Sequence, residues 1–248
     1  MEAKNFSRED YLFLAKLAEQ SERYSEMIDF VKNFAVTEGE LTAEERRIVS
    51  VAYKNVVGSK RAEYRVLSAI EQKESRKGNE TNKEYIKKYK ATIEEELKDK
   101  CREILGLIEN YLYPNSKSDE SRIFFLKMKG DYNRYLTEFL MDTEGNEAVD
   151  KALKAYTDAW EIVESINLTP THPLRLGLAL NFSVFQFEIL QNSKAAREMA
   201  EKAFNAAIAN IQHVNEDTYK DCTLIMQLLR DNLTLWTDMP NEEGQDDY

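Results

Sequence analysis

The sequence predicts an all-α fold of about nine helices, and three observations lead there. Its 248 residues hold only eight glycines and four prolines, too little turn punctuation for an all-β sandwich. Apolar residues recur at helical spacing through most of the chain, and the prolines fall in the polar breaks between those stretches.

The helices are expected in this order. The first, over about 7–20, opens on Ser7 with Asp10 three residues on, and a second amphipathic stretch covers about 24–36. Thr42 and Glu45 have capping-box spacing and start a long third helix that persists to about 74, where the polar SRKGNETN ends it. A fourth covers about 83–111 before Pro114, a fifth about 119–140 and a sixth about 146–166. The TPTHP break leads to three more, at about 173–191, 194–213 and 217–236. Residues 1–237 are read as one helical domain and 238–248 as a disordered acidic tail, whose five acids and no bases cannot build a core. No repeat of about 33–47 residues is evident, which argues against an ankyrin, HEAT or tetratricopeptide array.

Composition excludes several classes. No run of about 18 apolar residues exists, so no membrane span is expected, and MEAKNFSRED lacks the apolar core of a signal peptide. The expected location is the cytoplasm, with the nucleus also open. A pI near 4.9 and net charge of -11 disfavour nucleic acid. Cys101 and Cys222 lie far apart without metal-ligand spacing and are read as reduced core thiols. His172 and His213 belong to no HExxH, ExxH or hydrolase pattern, and no phosphate-cradling glycine loop occurs, so neither a metal, a cofactor nor catalysis is expected.

One stretch, VAYKNVVGSKRAEYR, sets Lys54, Arg61 and Arg65 on the third helix of this acidic chain. At about 100° per residue, Arg61 and Arg65 fall roughly 20° either side of Lys54, so the cations share one stripe. The fifth helix adds Arg134 beside Tyr135, with Asp131 and Glu138 expected to hold the guanidinium planes, and Gly58 and Gly130 expected to admit close helix approach. An isolated arginine here would be an ordinary solvated ion pair. Gathered cations in an apolar groove instead need an anion, and the arginine fork suits a phosphate, with Tyr135 adding a hydroxyl donor. The complement is apolar. Leu180, Asn181, Val184 and Glu188 share helical spacing, as do Leu224, Leu228, Asn232 and Trp236. Such a stripe is equally the mark of a core, except that the asparagines need amide partners, which the backbone of an extended peptide would supply.

The motifs SVAYKNVVG, KMKGDYNRYL, RLGLALNFSVF and YKDCTLIMQLLRDNLTLW carry a resemblance to the 14-3-3 family over about residues 7–237. The resemblance implies nine antiparallel helices forming a concave groove, a cup-shaped homodimer joined through the N-terminal helices, and phosphoserine or phosphothreonine segments of client proteins as partners. It implies phosphate ligation by Lys54, Arg61, Arg134 and Tyr135 with Arg65 beside them, and peptide contacts from Lys127, Leu180, Asn181, Val184, Glu188, Leu224, Ile225, Leu228, Asn232 and Trp236. Leu17, Ser21, Arg23, Glu63, Tyr89 and Glu96 match the dimer interface, and pairing with a paralogue is open as well.

There are departures from the family pattern. Tyr64 stands where a tryptophan is usual, Glu63 where a serine is frequent, Thr92 where a lysine is usual, and Gln186 and Phe187 replace paired tyrosines. None removes an implied phosphate ligand. Arg23 is expected to reach Glu96 across the interface, and Glu26 to go without its usual cation. The function expected is a non-enzymatic adaptor. Two rivals remain open: a helical scaffold indifferent to phosphorylation, and a phosphate-processing enzyme, which would need a general base or metal beside Arg134.

Overall fold

Capping starts the first and third helices where the sequence places them. In the computed structural model, which describes residues 6–238, α1 (Arg8–Gln20) begins at Ser7 and α3 (Ala43–Arg76) at Thr42, both with the reciprocal capping box. Between them lies α2 (Tyr24–Ala35); α4 (Glu80–Leu107), α5 (Asp119–Leu136), α6 (Asp142–Ser165), α7 (Pro173–Glu188), α8 (Ser193–Asn210) and α9 (Glu216–Asp238) follow. Nine α-helices and no strand occur among the described residues. The acidic tail lies outside them, apart from Asp238 at the end of α9.

Several boundaries differ from expectation for local reasons. The α4 ladder gives way at Leu107 to a π-turn over Ile108–Leu112. α5 stops at Leu136 because the next amides take i→i+3 partners, Glu138 to Tyr135 and Phe139 to Leu136, while the Thr137 hydroxyl donates back to the Arg134 carbonyl at 2.7 Å. α6 begins at Asp142, its ladder opened by the Gly145 N–H donating to the Met141 carbonyl at 3.2 Å, so the glycine is part of the first turn and not a break; a Cβ there would lie 2.8 Å from the Leu140 carbonyl oxygen. Pro173 likewise sits inside the first turn of α7, where its missing N–H costs nothing, and His172 caps that helix by accepting the Leu174 N–H at Nδ1.

Short connections between packed neighbours make successive helices antiparallel. Odd-numbered helices also meet one another, α1 on α3, α3 on α5, α5 on α7 and α7 on α9. Helices α4, α6 and α8 part instead: clefts of about 370 Å³ and 270 Å³ open between α4 and α6 and between α6 and α8, lined respectively by Leu105, Leu140 and Ala148 and by Trp160, Met199 and Ala203. A layer close-packed on one side and splayed on the other must curve, with α3, α5, α7 and α9 on the concave side.

The core follows the curve in three clusters. Phe34, Ile48, Tyr53 and Leu97 centre the first, Tyr156, Phe182 and Phe185 the second, and Leu176, Leu229 and Trp236 the third. Both cysteines are buried free thiols, and burial pushes the Cys101 thiol up to about 12, far from reactive thiolate. A polar clamp fastens the start of α5: the Glu40 carboxylate accepts from the Ser118 amide at 3.1 Å and from the hydroxyls of Ser118 and Ser121, while Arg46 donates to the Ser121 hydroxyl at 2.8 Å.

Candidate functional site

Two guanidinium groups meet over one ring. Arg61 on α3 lies 4.3 Å from the centroid of Tyr135 on α5, and Arg134, one residue before it, lies 4.8 Å away. Lys54 and Arg65 are exposed on the same stripe of α3 and make no ion pair among the described residues. Arg61 is ion-paired with Glu138, its Nε donating to Oε2 at 3.3 Å. Glu138 therefore holds one guanidinium, as expected.

Arg134 is held differently from expectation. Only 8% exposed, it points Nε at the Tyr156 hydroxyl, 3.5 Å away, with Nη1 3.9 Å from Glu188. Burial opposes its charge, but Tyr156, Asp131 and Tyr135 outweigh burial and raise its pKa. Asp131 does not hydrogen-bond Arg134. Its carboxylate accepts from Lys127 Nζ, Tyr156 Oη and Asn181 Nδ2, each at 2.7 Å. Burial works against the Asp131 charge, yet Lys127 and Arg134 overcome it and lower the pKa.

The glycine expectation is half corrected. Gly58 has open space where a side chain would project, whereas a Cβ on Gly130 would come within 2.6 Å of the Tyr156 ring. Gly130 thus admits a ring from α6 and brings no helix onto α3.

The facing wall comes from α7 and α9. Leu224 and Leu228 are 64% and 44% exposed, while Leu180, Val184 and Ile225 are half-buried against the third core cluster. Glu188 is exposed. Asn181 already has an internal partner in Asp131, which corrects the expectation that its amide waits wholly for a ligand. Asn232, half-buried, makes no side-chain hydrogen bond within the described residues. Trp236 is 4% exposed and stacks on Phe187 at 4.8 Å, so it seals α9 to α7 beneath the wall instead of standing in it.

Chemically, two guanidinium groups gathered over one ring, one of them nearly buried, can hold a multiply charged oxyanion, and exposed leucines such as Leu224 and Leu228 can cover an extended chain. No group of His, Cys, Asp and Glu suited to a metal occurs among the described residues. The 14-3-3 family model, described as 14-3-3 protein, matches residues 14–237. The chain belongs to the 14-3-3 family. It is 54% identical over 239 residues to the 14-3-3-like protein GF14 epsilon of Arabidopsis thaliana, covering 96% of this chain and 94% of that one. It is equally 54% identical to 14-3-3 protein 3 of Entamoeba histolytica, over 96% and 99% of the two chains. With the 14-3-3-like protein B of Vicia faba the identity is 52%, over 98% and 93%.

Sequence reasoning missed one residue that the structure brings to this candidate site, Tyr156. Its only signal was an aromatic at core spacing on the sixth helix, which reads as packing. The departures are accommodated: Tyr64 meets Phe139 edge-on at 4.8 Å with Lys90 5.0 Å from its ring, and Phe187 supplies the stacking surface for Trp236.

The expected dimer residues lie on α1, α3 and α4 or in the turn after α1. Leu17 and Tyr89 are 44% and 62% exposed, and Phe13, at 61%, adds to that unpartnered apolar face. The Ser21 hydroxyl donates to the Leu17 carbonyl at 2.8 Å. Within the chain Arg23 is ion-paired with Glu26, three residues on. Lys60 bridges Glu63, at 3.2 Å, and Glu96, at 2.6 Å, so both expected interface acids already share one lysine.

Proposed function

We propose that this 14-3-3 chain is a non-enzymatic adaptor that binds phosphoserine or phosphothreonine segments of client proteins in the groove of α3, α5, α7 and α9. The observation that carries the reading is the convergence of Arg61 and Arg134 on Tyr135, opposite the exposed Leu224 and Leu228. A phosphoryl group brings about -1.5 to -2 charges and three acceptor oxygens, which suits two guanidinium forks plus Lys54, with Arg65 beside them. The flanking peptide then lies along Leu180, Val184, Ile225 and Leu228, its backbone facing Asn181 and Asn232, with Lys127 and Glu188 at the seam and Trp236 as the floor. Binding masks or spaces the client's neighbouring sites.

The reading includes a homodimer through α1, α3 and α4, open to exchange with a paralogue, working in the cytoplasm and the nucleus. No described helix is long and apolar enough to cross a membrane. The enzyme alternative needs a general base near the cations, and His172 is instead committed to capping α7. A fluorescence titration with a serine-phosphorylated peptide and its unphosphorylated twin tests the proposal. Tight binding of the first alone is expected; equal binding of both sinks it in favour of a scaffold, and release of inorganic phosphate in favour of an enzyme.

A further inference from the structure

We propose that Tyr156 is a positioning residue of the groove, coupling Arg134 on its cationic side to Asn181 on its amide side through the carboxylate of Asp131. The proposal deepens the phosphopeptide reading and rests on it. Tyr156 is wholly buried on α6, stacked on Phe182 at 5.3 Å and tilted against Phe185 at 5.4 Å. A phenylalanine would serve that apolar cluster as well, and a buried hydroxyl costs free energy unless it is hydrogen-bonded. Here it is used twice: it donates to Asp131 Oδ1 at 2.7 Å and lies 3.5 Å from Arg134 Nε, whose N–H it accepts. The bare Cα of Gly130 lets the ring reach this position, beside the next residue of α5 and one turn before Arg134.

A carboxylate only accepts, so Asp131 also decides how Asn181 is turned. Asn181 donates Nδ2 to Asp131 Oδ1 at 2.7 Å, which leaves its Oδ1 as acceptor for a donor from outside. Lys127 occupies the other Asp131 oxygen at 2.7 Å. The order Arg134 N–H to Tyr156 O–H to Asp131, with Asn181 N–H arriving at the same oxygen, fixes the direction of every bond. The group that meets an anion and the group that meets a peptide backbone are therefore set as one unit across α5, α6 and α7, and a change at one end is felt at the other.

The test is the full-length Tyr156→Phe variant, which keeps the ring and removes the hydroxyl. Three readouts are taken: thermal unfolding, the side-chain amide resonances of Asn181 (assigned by their loss in Asn181→Ala), and anisotropy titration with a serine-phosphorylated peptide and its unphosphorylated twin. The expected result is a folded variant with a lowered but still cooperative melt, shifted Asn181 resonances, and phosphopeptide affinity lower by about tenfold. In an Asn181→Ala background the same substitution should cost clearly less than in the wild type, because coupled residues are not additive, with the remainder coming from Arg134. Unshifted Asn181 resonances, or an equal loss of affinity in both backgrounds, overturn the proposal. Should Tyr156→Phe fail to fold, Arg134→Lys at the other end of the chain of bonds is read on the Asn181 resonances instead: they shift if Tyr156 and Asp131 couple the two residues, and unshifted resonances overturn the proposal. If the wild type binds both peptides alike, the phosphopeptide reading fails by itself, and the Asn181 resonances still decide whether Tyr156 sets the amide.

Discussion

Arg134 shows what one residue contributes here: a guanidinium that is nearly all buried and still charged, because Tyr156, Asp131 and the Tyr135 ring surround it. Such a group is costly to orphan and effective at gripping an oxyanion. Arg134→Ala and Lys54→Glu should each weaken phosphopeptide binding by roughly 30-fold or more, from about 2 to 5 kcal/mol for a disrupted charge pair, while circular dichroism stays unchanged. Wild-type affinity in both would move the anion site elsewhere. Glu40 is a second residue with a definite sign. Hydrogen bonds from Ser118 and Ser121 lower its pKa from the ordinary 4.5 to about 2. A depressed carboxylate stabilises the fold above its unfolded pKa and loses that contribution as pH falls through the folded value. Wild type should therefore melt above Glu40→Gln at pH 7, and the gap should close between about pH 4.5 and 2. A gap independent of pH would show that charge is not the cause.

At the scale of the helix, α9 presents two leucines in sequence, about 100° apart around its axis, that meet different surroundings. Leu228 is 44% exposed on the groove side, and Leu229 is fully buried in the third cluster. Leu228→Asp should leave the melt nearly unchanged and weaken peptide binding, whereas Leu229→Asp should collapse the transition, since an unpaired buried carboxylate costs several kcal/mol. Collapse in Leu228→Asp would return that residue to the core. Periodicity located both leucines on one helix but could not say which face met water, because a groove wall and a core stripe share the same spacing. Ends were legible where chemistry is local, as at Ser7 and Thr42, whose caps need only the next three residues. They were less so at Leu136, where the amides that follow turn to carbonyls three residues back, and at Asp142, where the ladder opens ahead of a glycine that reads as a break.

For the whole molecule, contact among odd-numbered helices and clefts between α4, α6 and α8 curve the layer and gather four helices about one groove. The outer face of α1, with Phe13 and Leu17 exposed, and Tyr89 on α4 leave apolar surface for a second copy. Glu63 adds charge there, softened by Lys60, and Thr92 withholds the cation usual in the family. Exposed pairs contribute only about 0.2 to 1 kcal/mol, so the proposed wild-type dimer should persist but dissociate at measurably higher concentration than the Glu63→Ser and Thr92→Lys variants do. Sedimentation across a concentration series for wild type and both variants is the check. Equal dissociation constants in all three would mean that neither position weakens the dimer.

The sequence alone determined the all-α class, the order of the helices, the caps of α1 and α3, and the alignment of Lys54, Arg61 and Arg65, because each depends on residues within a few turns of one another. The tertiary structure decided the partners. That Glu138 takes Arg61 from 77 residues away, that Trp236 lies beneath Phe187, and that Asp131, besides its i,i+4 partner Lys127, binds Tyr156 and Asn181 instead of Arg134 all required α3, α5, α6, α7 and α9 to be brought together. A carboxylate's helical neighbours are set by spacing at i+3 and i+4, but its choice among them falls to whichever donors the packed helices deliver at hydrogen-bond distance in a dry interior.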